Sequence, residues 1–112
     1  MAVILEGGQT QKITSAANAN ADIILPATPN VNYTIKQILI SYSALPTSGR
    51  VGLLSGATIV FDHDIAQAGL IQLPFDMTEE LVNTAMTIRL FAGGIGVIGK
   101  LTVAYIVNNI IP

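Results

Sequence analysis

Apolar residues recur at every second position along several stretches of the chain, and this alternation limits the possible fold more than any other feature. It is clearest in the segment 100–107, where Leu101, Val103, Tyr105 and Val107 alternate with Lys100, Thr102 and Ala104. Side chains two apart in an extended chain project to one side, so the pattern predicts strands with one buried face. Strands are predicted at 34–42, 86–91 and 101–107, with further candidates at 3–6, 11–14, 23–25, 51–54, 58–62 and 70–73.

Glycine- and proline-containing turns separate these strands at short intervals. Eight or nine short strands in one chain predict an all-β, antiparallel, jelly-roll-like β-sandwich. One local exception is the capping-box spacing of Asp76 and Glu79, which predicts at most one short helix near 77–83. The chain is expected to form a single domain over 1–112, with 1–32 either an N-terminal arm or a swapped strand.

The chain is poor in charge. Only 11% of its residues are charged, against about 25% in an average soluble domain. Apolar residues make up 51%, so part of the surface is expected to be buried against another chain. With five basic residues and seven acidic ones, the chain has no positive electrostatic potential that would attract a nucleic-acid backbone. Charged residues interrupt every stretch long enough to span a membrane. The start of the sequence lacks signal-peptide features, and cysteine is absent, so cytoplasmic synthesis without secretion is expected.

The segment from Gly93 to Lys100 matches the G-x-G-x-x-G phosphate-binding pattern at Gly94, Gly96 and Gly99. That pattern binds phosphate only where a helix follows the glycines, whereas the best strand of this chain follows them. We therefore predict a glycine-rich hairpin that joins 86–91 to 101–107. Its tip carries Ile95 and Val97, and an exposed apolar tip favours a contact with another subunit.

Asp62, His63 and Asp64 form the one cluster with metal-ligand chemistry. On a strand, Asp62 and Asp64 share a face and are the candidate ligands for a hard cation, with His63 on the other face. The alternative interpretation is a strand end that reaches solvent. A catalytic role for His63 would require a nucleophile, and the sequence pattern identifies none among the serine and threonine residues. The sequence therefore predicts no enzyme, no catalytic residue and no cofactor.

From about 33 to 107 the order of features resembles the small β-sandwich structural proteins of tailed bacteriophages. The resemblance rests on the strand at 38–42, Ala44-Leu-Pro-Thr-Ser-Gly49, Ile59-Val-Phe-Asp-His-Asp-Ile65 and Gly99-Lys-Leu-Thr-Val103. It implies a capsid decoration, cement or head-appendage protein, located in the virion and commonly trimeric. The partners expected from it are further copies of the chain, as a homotrimer, and the major capsid protein or another virion protein.

The ends of the sequence are apolar although the chain has few charges, so both are expected to pack at an interface. Together with the glycine-rich tip, the expected interface residues are Val3, Ile4, Leu5, Ile95, Val97, Ile110 and Ile111. A second hypothesis is a carbohydrate-binding β-sandwich used in host adhesion, although the chain has no tryptophan to form a sugar platform.

Overall fold

The computed structural model describes residues 8–110, and every regular element in that part of the chain is a β-strand. The strands are β1 (Gly8–Thr14), β2 (Ala21–Leu25), β3 (Val31–Tyr42), β4 (Gly49–Ser55), β5 (Thr58–Ile65), β6 (Gly69–Thr78), β7 (Met86–Leu90) and β8 (Gly99–Asn109). Each strand predicted between 11 and 107 is present, and the candidate at 3–6 lies outside the described residues. No helix of the described residues could cross a membrane.

The strands form two four-stranded sheets in which all neighbours are antiparallel. Sheet A has the order β1-β8-β3-β6, and sheet B has the order β2-β7-β4-β5. Successive strands mostly alternate between the two sheets, as two interlocked Greek keys require. The predicted jelly-roll-like β-sandwich is therefore confirmed.

One hydrophobic core fills the space between the sheets, and it is built from the alternating residues of the sequence. Along β7, Met86, Ile88 and Leu90 are buried while the residues between them are half-buried. Leu101 and Val103 of β8 are completely buried in the same core. Burying a side chain of this size stabilises the fold by roughly 1.5–3 kcal/mol, so the period-two pattern determines which face of each strand points inward.

The helix expected near 77–83 does not form, because Met77 and Thr78 are the last two residues of β6. Met77 points toward the core, and Thr78 shares a 2.8 Å hydrogen bond with Thr34 of β3. Asp76 is not a helix cap but an exposed strand residue whose carboxylate lies 3.0 Å from the Lys36 ammonium. Pairing with β3 outweighs the local capping signal, and that part of the prediction was wrong.

The predicted hairpin between 86–91 and 101–107 is also absent. β7 belongs to sheet B and β8 belongs to sheet A, so the glycine-rich segment crosses from one sheet to the other. Val97, expected at an exposed tip, is instead buried in the core. Both strands are present, although β7 ends at Leu90 and β8 extends from Gly99 to Asn109. They are neighbours in sequence without being hydrogen-bonded partners.

The first two strands belong to the sandwich. β1 pairs with β8 along its whole length, and β2 pairs with β7. Every residue of β1 is exposed, so this edge strand is held mainly by its hydrogen bonds to β8 and by a polar side-chain contact. In that contact, Gln11 Nε2 donates to Tyr105 Oη at 2.8 Å, and Tyr105 Oη donates to Gln9 Oε1 at 3.0 Å.

Candidate functional site

Four connections between the sheets, at 15–20, 43–48, 66–68 and 91–98, meet at one end of the sandwich, here called the loop end. The β7–β8 connection is fixed there from both sides by backbone hydrogen bonds. Asn18 N donates to Val97 O at 2.9 Å, and Ser43 N donates to Ile98 O at 2.9 Å. A further bond from Thr47 N to Gly93 O measures 2.8 Å, so this connection is held in a single conformation.

The fixed connection displays an apolar surface. Ile95 is 94% exposed, Leu45 on the neighbouring β3–β4 connection is 67% exposed, and Ile98 is 37% exposed. We call these three residues the apolar tip. Scattered surface hydrophobic residues are ordinary, but an exposed isoleucine on a well-anchored, uncharged loop is characteristic of a contact surface.

Glycine is required where the two connections approach each other. A Cβ on Gly93 would lie 2.8 Å from the Tyr42 ring and 2.7 Å from Val97 Cγ1. Gly94 has a φ of +120°, and a Cβ there would lie 2.5 Å from Thr47 Oγ1. Gly93 and Gly94 therefore serve close packing at the loop end, whereas a Cβ on Gly96 would meet nothing within 4 Å.

A groove of about 660 Å³ opens beside the apolar tip. Its polar groups include Arg50, Asp64 and Asn20, and its apolar walls include Phe91. Asn20 is fixed by accepting the backbone N–H of Ala92 at 2.9 Å. The remaining lining residues are Leu45, Pro46, Thr47, Ser48, Gly49, Ile65, Ala66 and Ala92. A volume of this size and a mixed lining are typical of small-molecule and peptide sites.

The aromatic ring in this groove is already in contact with charged side chains. The Arg50 guanidinium lies 4.1 Å from the centroid of the Phe91 ring, and the Arg89 guanidinium lies 5.7 Å from it. Arg89 also makes a two-point ion pair with Asp22, at 2.8 and 3.1 Å. The hydrogen bond that Arg89 donates to Asp22 is the main reason that the pKa of Arg89 is raised. A ligand in this groove would therefore contact the Arg50 guanidinium that is stacked on the Phe91 ring before it contacts the ring itself.

The Asp62-His63-Asp64 cluster lies on β5 with all three side chains exposed. Asp62 Oδ2 is 3.5 Å from Arg50 Nη1, so a protein cation already lies beside one of the two candidate ligands. Within residues 8–110, no group of three or more histidine, cysteine, aspartate or glutamate side chains converges on a point. The strand places Asp62 opposite Gly52 and Asp64 opposite Arg50, at the edge of sheet B.

A second cavity, of about 390 Å³, lies at the opposite end and contains a buried carboxyl group. Glu79 is only 4% exposed, and its Oε2 accepts a hydrogen bond from Ser55 Oγ at 3.1 Å. Among residues 8–110, its Oε1 finds no hydrogen-bond partner, and neither does Oδ1 of the buried Asn32. Desolvation raises the pKa of Glu79, and the bond from Ser55 opposes this in part. Nothing in the sequence distinguishes Glu79 from its exposed neighbour Glu80.

The structure separates the predicted interface residues. Ile95 stands at the apolar tip, Val97 is buried beneath it, and Ile110 is 44% exposed at the far end of β8. Val3, Ile4, Leu5 and Ile111 lie outside the described residues. Sequence reasoning missed Ile98 and Leu45. The connection that carries Leu45 lies beside the β7–β8 connection through the bonds from Ser43 N to Ile98 O and from Thr47 N to Gly93 O, which the sequence does not indicate.

No protein-family model matches the chain, and no curated protein matches its sequence. Solved structures do match its fold. PirA aligns with a TM-score of 0.51 and 12% identity, over 86% of this chain and 92% of that one. The CBM36-1 domain of a multidomain xylanase from the hindgut metagenome of Trinervitermes trinervoides aligns at 0.48 and 11% identity, over 81% and 72%. The SPBc2 prophage-derived protein YomS aligns at 0.41 and 8% identity, over 92% and 99%. The likeness to PirA, at 12% identity, shows a shared fold and nothing about function.

Proposed function

We propose that this chain is a non-enzymatic structural protein of a virion, most specifically a capsid decoration or cement protein of a tailed bacteriophage. It acts by protein–protein contact, both with further copies of itself and with the major capsid protein or another virion protein. The resemblance of 33–107 to small phage structural proteins supports this assignment, and so does the jelly-roll arrangement of the strands.

The observation that carries the proposal is the apolar tip. Ile95 and Ile98 are exposed on a connection whose backbone is hydrogen-bonded on both sides, and Leu45 is exposed on one of the connections bonded to it. Because the loop is already ordered, a partner that covers these side chains gains apolar burial without the entropic cost of ordering the backbone. Few charges need to be desolvated on binding, which suits a protein that attaches to a repeated lattice.

The test is co-sedimentation with mature capsids of the virus that encodes the chain, using the wild type and Ile95→Asp. We expect the wild type to sediment with capsids and Ile95→Asp to bind at least tenfold more weakly, with an unchanged melting temperature. Leu81→Asp is the matched control, because Leu81 is 61% exposed at the opposite end of the sandwich. This variant should bind capsids as the wild type does. Equal binding by Ile95→Asp would contradict the role of the tip, and failure of the wild type to bind would contradict the assignment.

The groove beside the tip favours a second candidate, a carbohydrate-binding β-sandwich used in host adhesion. Arg50 and Asp64 face each other across β4 and β5 and offer donors and acceptors for sugar hydroxyls. A glycan array probed with the assembled protein tests it. Binding that is lost in Arg50→Ala would support a sugar site, and an array without hits would remove it.

A further inference from the structure

The charged residues are sorted between the two outer faces of the sandwich. All three lysines of the chain, Lys12, Lys36 and Lys100, lie on strands of sheet A and are exposed. Three of the four aspartates and both arginines lie on strands of sheet B. We call the outer face of sheet A the lysine face, and the outer face of sheet B the aspartate face.

Ion pairs within the chain leave an uncompensated pair of charges on the lysine face. Lys36 is neutralised by Asp76, whereas within residues 8–110 neither Lys12 nor Lys100 has an acidic partner. Lys12 is paired in register with Thr102, two positions along β8 from Lys100. This diagonal relationship puts the two lysines roughly 7 Å apart.

The aspartate face carries a matching feature. Asp62 and Asp64 are two positions apart on β5, which also separates them by roughly 7 Å. Asp64 has no basic partner within the described residues, and Asp62 has only the long 3.5 Å contact with Arg50. Two acidic groups therefore stand at the spacing of the two lysines on the opposite face.

Exposed apolar residues accompany both sets of charges. Leu70 is 70% exposed at the start of β6 in sheet A, and Ile24 is 60% exposed in the middle of β2 in sheet B. Ile59, on the same strand as the two aspartates, is 47% exposed. Exposed ion pairs alone contribute little affinity, so this apolar surface would supply the stability and the charges would determine the orientation.

We propose that the lysine face of one copy packs against the aspartate face of a second copy. This inference rests on the proposed self-association and specifies which surfaces meet. Because the two faces lie on opposite sides of one sandwich, a pair of bound copies still presents one free lysine face and one free aspartate face. The contact repeats as an open head-to-tail stack, in contrast to the closed homotrimer expected from the sequence.

Charge reversal tests the contact. The first variant is Lys12→Glu with Lys100→Glu, the second is Asp62→Lys with Asp64→Lys, and the third combines all four changes. Sedimentation velocity over a concentration series at low salt measures self-association. We expect each two-site variant to associate at least tenfold more weakly than the wild type, and the four-site variant to recover to within about threefold. Raising the salt to 0.5 M should weaken the wild-type assembly, because added ions screen the paired charges.

Glu80→Lys is the matched control, since Glu80 is exposed between β6 and β7 and its reversal should leave assembly unchanged. Wild-type association by either two-site variant, or no recovery in the four-site variant, would overturn the head-to-tail contact. Capsid binding by the same variants would show whether the proposed function survives that result. A wild type that is monomeric at every concentration would overturn the contact as well, and one that also fails to bind capsids would overturn both proposals.

Discussion

The hydroxyl of Tyr42 donates a 2.7 Å hydrogen bond to the carbonyl oxygen of Phe91, and it accepts the backbone N–H of Arg50 at 3.2 Å. Tyr42 is the last residue of β3 in sheet A, whereas Arg50 belongs to β4 of sheet B and Phe91 directly follows β7 of the same sheet. A single buried side chain therefore joins the two sheets where the loop end begins. Burial raises the pKa of Tyr42, which keeps the phenol neutral, although the bond from Arg50 opposes this.

Replacing Tyr42 with Phe should destabilise the protein and loosen the loop end. The change leaves a buried carbonyl and a buried N–H without their partner, which costs about 1–3 kcal/mol. Urea denaturation measures the loss, and amide exchange at 93–98 measures the loosening. Tyr33→Phe is the control, because the Tyr33 hydroxyl bonds Pro26 at the opposite end and its loss should not accelerate exchange at 93–98. Unchanged exchange in Tyr42→Phe would contradict this role.

Gly93→Ala should destabilise the fold by about 1–3 kcal/mol, the usual cost of overpacking a filled core. The added methyl group would lie closer than van der Waals contact to both Tyr42 and Val97. Combining it with Val97→Ala relieves only one of the two contacts, so the double variant should remain less stable than Val97→Ala alone. Thermal unfolding of the three variants provides the comparison, and a Gly93→Ala variant as stable as the wild type would show that the loop can rearrange.

Glu79 should make the stability depend on pH in the direction opposite to that of an ion-paired carboxylate. Because its pKa in the folded state lies above the ordinary value of 4.5, the folded state binds the proton more tightly than the unfolded chain does. This contribution is fully present below pH 4.5 and is lost as the pH rises through the folded-state pKa.

Glu79→Gln removes that titration, so the variant should gain stability relative to the wild type as the pH rises, by about 1–3 kcal/mol near pH 8. The free energy of unfolding, measured for both proteins from pH 4 to pH 8, gives the difference curve. Glu80→Gln, at the exposed neighbouring position, is the control variant. A difference curve that falls with pH would mean that Glu79 is better stabilised as a carboxylate in the folded state.

Tyr105→Phe should release β1 selectively. The Tyr105 hydroxyl is the shared partner of Gln9 and Gln11, and all side chains of β1 are exposed. We expect amide exchange in 8–14 to accelerate at least severalfold, while the amides in the middle of β3 keep their protection. Equal acceleration in β3 would show that the hydroxyl supports the whole sheet rather than its edge strand.

The alternation of apolar residues was sufficient to locate the strands, because every second residue of a strand with one buried face is apolar. The same alternation argues against the helix predicted near 77–83, because it continues through β6 at Ile71, Leu73, Phe75 and Met77. The capping-box spacing of Asp76 and Glu79 is a local signal, and pairing with β3 outweighed it.

The alternation of apolar residues does not show which of the two sheets a strand joins. Alternation shows which face of β7 and of β8 is buried, but it does not show that the two strands lie in opposite sheets. For that reason the sequence placed Val97 at an exposed tip and missed Leu45 as the neighbour of Ile95. The surfaces proposed to bind partners depend on contacts between distant segments, and a single sequence carries no local sign of these contacts.

The most direct test of the central claim, that this is a structural protein that works through contacts with its own copies and with other virion proteins, is the solution mass of the wild type. Light scattering on a sizing column, run over a range of loading concentrations, measures it. We expect species heavier than the 11.7 kDa monomer, with a mass that rises with concentration. A single species of 11.7 kDa at every concentration would contradict the account and would leave the groove at Arg50 and Asp64 as the main candidate site.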